Sequence, residues 1–200
     1  MSHQDFIRFL NASPTPYHAT ANLVKILENA GFTRLDEAEE WKLTAGGKYV
    51  YSRSDTTVVG FTLGATSANE SGFRIVGAHT DSPCLKVKPN PEISKKGYQQ
   101  VGVEVYGGAL LNPWFDRDLS LAGKVSFTDS NVKLKHALVN FEKPIAVLPS
   151  LAIHLNRDVN NKKSVNPQKE MNPIFFQGEE TFSLAEQVKS QLIAQGESDV

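Results

Sequence analysis

Residues 73–91 hold an apolar run, two small residues, an imidazole, a carboxylate and three prolines in close succession. Phe73-Arg74-Ile75-Val76 has the length and the side chains of a short buried strand. Gly77 and Ala78 follow, small enough to let another backbone or a ligand come close. In an extended chain alternate side chains share a face, so His79 and Asp81 are expected to point the same way. A neutral imidazole is a good zinc ligand, and a carboxylate beside it can hold its tautomer and ring orientation. Pro83 is then expected to end regular pairing.

The rest of the chain has the material for a core around such a strand. Of its 200 residues 40% are hydrophobic and 22% charged, so a globular fold is expected rather than disorder. The formal net charge is −1, which leaves no electrostatic footprint for nucleic acid or for an anionic membrane surface. Cys84 is the single cysteine, which excludes an intramolecular disulfide and a cysteine-based zinc site. The first residues lack the basic region and long apolar run of a secretory signal. No stretch approaches the roughly 18 apolar residues of a membrane helix. The cytoplasm is the expected location.

Phe6, Ile7, Phe9 and Leu10 suggest a short first helix, stopped by Ser13-Pro14-Thr15-Pro16. Thr15 then caps a second helix with Pro16 at its first position. Ala19, Leu23, Ile26, Leu27 and Ala30 recur at helical spacing up to Gly31. Tyr17 and His18 belong to that helix as surface or packing residues. The segments 48–53 and 57–63 are β-rich and joined around Ser54-Asp55, the pattern of a hairpin. Valines at 101, 103 and 105 alternate as in a half-buried strand, and 119–127, 132–141 and 145–155 read as further strands. Residues 157–177 are polar and rich in Asn and Lys, an exposed connection. Ser183-Leu184-Ala185-Glu186 is a capping box opening a last helix that Gly196 ends.

The string GAHTDSPCLKVKPNP around His79 resembles the metal-ligand segment of the M18 family of metallo-aminopeptidases, the aspartyl aminopeptidase-like group. Three other strings agree with that family in order: SPTPYHA from Ser13, NPWFDRDLSLAGKV from Asn112, and LAIHLNR from Leu151. The resemblance implies an α/β fold, the N-terminal part of a zinc-peptidase-like catalytic domain interrupted by a mainly β oligomerisation insert. Residues 1–90 would belong to the catalytic part and residues 91–200 to the insert. It implies one or two Zn2+ ions, with His79 as metal ligand and Asp81 serving catalysis by orienting it. Family members also use a bridging Asp, a Glu-Glu pair, a further Asp and a late His. The bridging Asp, the pair and the late His follow the insert, and no segment of this chain matches them.

His154 stands within Ile153-His154-Leu155, an apolar strand from which it projects opposite to its neighbours. The resemblance assigns a function to the His of LAIHLNR, either as metal ligand or as a residue reaching a neighbouring subunit's active site to bind substrate or oxyanion. A satisfied core histidine is the alternative. Asp116-Arg117-Asp118 is expected to form a turn with internal Arg pairing, against the alternative of an acid/base or metal pair. Glu179-Glu180 precedes a capped helix, where acidic residues favour the dipole, and its flanks do not match the family's pair. Ser82 lacks the elbow motif of a serine hydrolase.

The function so implied is a zinc-dependent aminopeptidase that removes N-terminal residues from peptides with metal-activated water, represented here by a fragment. Its partners would be peptides with a free N-terminus and further copies of itself, without nucleic acid or membrane. The alternative is a truncated, non-catalytic chain that self-associates through its β module.

Overall fold

The computed structural model describes residues 2–179, 182–197 and 200. Contacts divide the chain into two compact units, residues 1–82 and 83–200.

In the first unit, α1 (His3–Asn11) opens with a reciprocal cap: the Ser2 hydroxyl accepts from the Asp5 N–H, and the Asp5 carboxylate accepts from the Ser2 N–H. Helix α2 (Pro16–Asn29) is capped by Thr15, with Pro16 where its missing N–H is harmless. Its buried residues Ala19, Thr20 and Val24 face β2 and β3. Strands β1 (Thr33–Arg34), β2 (Lys48–Arg53) and β3 (Thr57–Thr62) form a sheet in that order, β1 parallel and β3 antiparallel to β2. The β2–β3 turn places Ser54 and Asp55 at φ of 53° and 56°, as the polar turn residues foretold. Gly60 of β3 lets α2 come close: a Cβ there would lie 2.9 Å from Leu27 Cδ1. A short helix, α3 (Ala68–Ser71), follows.

The expected strand at 73–76 is not formed. Residues 72–83 have no regular structure, and Ile75 and Val76 are 85% and 100% exposed. A strand requires a neighbour to satisfy its backbone groups and cover its apolar face. Among the described residues none pairs with this segment.

The second unit starts where regular pairing was expected to stop. Strand β4 (Cys84–Lys95) begins immediately after Pro83 and pairs antiparallel with β5 (Tyr98–Tyr106). Pro89 and Pro91 do not end it, because the register shifts between Val87 and Glu92 and leaves the prolines outside the ladder. The expected boundary after residue 90 therefore lies within β4. Lys96 and Gly97, at φ of 56° and 74°, make the tight turn to β5. A 3-10 turn at Asn112–Trp114 follows, then the hairpin of β6 (Ala122–Thr128) and β7 (Leu134–Asn140).

The polar stretch from Arg157 is an exposed connection only in its first half. Its second half forms α4 (Pro167–Glu170), capped by Asn166, and β8 (Ile174–Gln177), which pairs with β5. Met171 between them is fully buried. Single apolar anchors of this kind carry no period, so composition alone conceals them. Helix α5 (Leu184–Ala194) is capped by the Ser183 hydroxyl, which accepts from the Glu186 N–H. It joins two cores. Leu184 lies with Val101, Val103, Leu148, Met171 and Phe182, while Leu192 lies with Ala137 and Val139 of β7. No helix among the described residues is long and apolar enough to cross a membrane.

Candidate functional site

His79 and Asp81 do come together, on the bare segment that ends the first unit. His79 Nδ1 lies 2.8 Å from the Asp81 carbonyl oxygen and 3.4 Å from Asp81 Oδ1. A carbonyl can only accept, so Nδ1 carries the proton in this contact. The neutral ring then keeps its lone pair on Nε2, the form a metal ligand needs. Both side chains are open to solvent. The Thr80 hydroxyl between them donates to the Thr56 carbonyl oxygen at 2.7 Å, which ties the segment to the β2–β3 turn.

One imidazole and one carboxylate do not make a catalytic zinc site, which takes three protein ligands and an open position. Among the described residues no group of three or more His, Cys, Asp or Glu side chains is arranged to hold a metal ion. The donor set present fits zinc only as a contribution to a larger one.

His154 is not on a strand. In the segment 145–155 only Ala146 and Val147 pair, as isolated bridges to Leu119 and Ile174. From Pro149 the chain leaves the core, and His154 sits in two overlapping turns closed by Leu155 N–H to Ala152 O and Asn156 N–H to Ile153 O. The ring is exposed, which excludes a core histidine. Leu151, Ile153 and Leu155 around it are exposed as well. The alternating apolar pattern suggested a strand, but alternation reports two faces only when one of them is covered.

Asp116 also departs from expectation. Among the described residues no ion pair joins Arg117 to either neighbouring carboxylate. Asp116 Oδ1 instead accepts from the Ser150 N–H at 2.8 Å, with the Ser150 side chain beside this carboxylate. These contacts, with Lys163 nearby, hold the Asp116 carboxyl below its ordinary range.

His18 has a structural role: its Nδ1 meets the Thr15 cap hydroxyl at 2.8 Å, and burial pushes its pKa down. Asp129 escaped the sequence reading. It is buried in the β6–β7 turn, where Oδ1 accepts from the Asn131 and Lys133 N–H groups and Oδ2 lies 3.1 Å from Lys135 Nζ. The Lys133 backbone bond is the main cause of its lowered pKa. The spacing Asp-x-Asn-x-Lys between two β-rich runs was the available signal of this turn. Of the Glu179-Glu180 pair, Glu180 lies outside the described residues.

Residues 9–195 match the family model described as aminopeptidase I zinc metalloprotease (M18). Over 175 residues the chain is 59% identical to a probable M18 family aminopeptidase 2 of Pseudomonas paraeruginosa, covering 88% of this chain and 41% of that protein. The chain thus spans about two fifths of the length of the curated relatives it matches. The fold superposes with a TM-score of 0.92 and 35% identity on a chain of the Ape4 and Nbr1 complex, over 98% of this chain and 41% of that one. It also superposes on the mApe1 dodecamer of S. cerevisiae, with a TM-score of 0.68, 28% identity, 87% of this chain and 47% of that one.

Proposed function

Because the chain belongs to the M18 family of zinc aminopeptidases, we propose that it forms the N-terminal portion of an enzyme removing N-terminal residues from peptides. Zinc would supply the activated water of that reaction. His79 would bind it through Nε2, and Asp81 would hold the ring. The observation that carries this reading is the Nδ1 contact to the Asp81 carbonyl, which frees the opposite nitrogen within a motif of that family. The remaining ligands and the general base would come from the part of the relatives that this chain does not span. Phe73–Val76 would complete a sheet with strands of that same part. His154, exposed among apolar neighbours, would reach a second copy of the chain and there contact substrate or metal. Assembly into a homo-oligomer follows the dodecamer described for the yeast relative.

The test is peptide hydrolysis by the full-length protein, with and without a chelator, beside His79→Ala. Loss of turnover in both supports the proposal, and turnover that survives both overturns it. For residues 1–200 alone the donor set favours a second reading, a self-associating module without turnover. Zinc titration of this chain decides that point: tight stoichiometric binding would refute the second reading.

A further inference from the structure

The loop that carries His154 is fastened at both of its feet to two adjacent residues. At its start, the Ser150 N–H donates to Asp116 Oδ1 at 2.8 Å. At its end, the Lys163 ammonium lies 4.5 Å from the centre of the Phe115 ring. Phe115 in turn packs on the core that contains Leu148. The chain entering the loop is held on two sides. Asp116 N–H donates to Leu148 O at 2.8 Å, and Val147 exchanges backbone bonds with Ile174 at 2.8 and 3.0 Å. Between the feet the chain makes local turns, with His154 in the first of them. Loops of this length whose ends meet behave as compact bodies with a defined tip.

Asp116 itself stands at φ 57°, a conformation few non-glycine residues adopt and that aspartate tolerates better than most. A turn that needed only this backbone shape would be served at least as well by glycine. The carboxylate does what glycine cannot, accepting from the Ser150 N–H.

We infer that Phe115 and Asp116 form a two-point latch for the 150–163 loop, and that Asp116 is a positioning residue for His154. The latch stands on the contacts above, and its bearing on turnover rests on the role proposed for His154.

The test separates backbone shape from the latch. Asp116→Gly keeps the left-handed conformation and removes the acceptor, while Asp116→Asn keeps both the tolerance and one acceptor oxygen. Hydrogen exchange of the Ser150 amide in the 200-residue chain is the readout, with Val101 and Val103 as controls in β5. The expected result is exchange at Ser150 faster by about tenfold in the glycine variant, a rate near the parent's in the asparagine variant, and unchanged controls. Equal rates at Ser150 in all three proteins, or equal acceleration at Val101 and Val103, overturns the latch. In the full-length protein, Asp116→Gly should lower kcat in the same direction as His154→Ala, with little further loss in the double variant. If His154→Ala leaves kcat and KM unchanged, the role proposed for His154 fails while the exchange data still decide the latch. Full additivity of two real losses overturns the positioning role.

Discussion

His79 and His154 both sit on chain without regular pairing, yet the two segments are held in opposite ways. The His154 loop rises from a packed core, with its feet on Phe115 and Asp116 and its entry pinned by Val147 and Leu148. The His79 segment is tethered by Thr80 to Thr56, and its apolar residues face solvent. The difference teaches that a local motif and its support are separate matters. His79 keeps its contact with the Asp81 carbonyl because the two residues are near neighbours in the chain. Phe73–Val76 stays bare because a strand cannot supply its own neighbours.

The sharpest way to break this comparison is hydrogen exchange along the chain. Amides of 73–79 should exchange about a thousandfold or more faster than Val101 and Val103, since protection spans the range from open chain to global unfolding. Comparable protection in both places would show that the His79 segment is supported after all. Restoration of protection in the full-length protein would sharpen the comparison, since it would trace the bare strand to missing partners.

Leu148→Ala should act on one side only. Leu148 is 1% exposed in the core beneath the His154 loop, so its truncation should cost the second unit about 2–5 kcal/mol. Denaturant melts followed separately at Trp114 and Trp41 would show the loss in the former alone. An equal shift at both would mean the two units unfold as one.

Acid should also discriminate. Asp129 in the second unit has its carboxyl held below the ordinary value of 3.8. The folded state therefore binds this proton less readily than the unfolded chain, so the contribution is fully present above 3.8. It is lost as pH falls through the lower folded value. Asp129→Asn should flatten the acid limb of stability between about pH 5 and pH 2, with little change in slope at neutral pH. An unaltered acid limb would contradict the assignment.

The smallest expected effect belongs to Thr80→Val. It removes a bond from the His79 segment to the hairpin turn, worth about 0.5–1.5 kcal/mol. Exchange should quicken at 78–82 without a change in the melt of the first unit. A shift of the whole unit would show that this tether supports more than its own segment.

Much of the local architecture could be read from residues. Thr15 and Ser183 cap the helices expected of them, because a cap needs only its own first turn. The 48–63 hairpin and β5 are similarly self-declared. What escaped was set by contacts distant in sequence: the bulge that accommodates Pro89 and Pro91, the pairing of β8 with β5, and the burial of Met171. Within the candidate site, the closeness of His79 to Asp81 was legible, but not that the Asp81 carbonyl rather than its carboxylate is the nearer partner, nor the Asp116–Ser150 bond. His79 and Asp81 are neighbours in the chain, while Asp116 and Ser150 are brought together by the core around Leu148.

From its sequence alone, then, this protein determined the Thr15 and Ser183 caps, the Ser54-Asp55 turn, its family and the nearness of one imidazole to the acid two residues on. These depend on side chains a few bonds apart and on the order of motifs. Tertiary structure alone decided which apolar runs become strands and which loop is braced. A run of valine or isoleucine is only a capacity for pairing, and hydrogen-bonded neighbours must arrive before that capacity becomes a sheet.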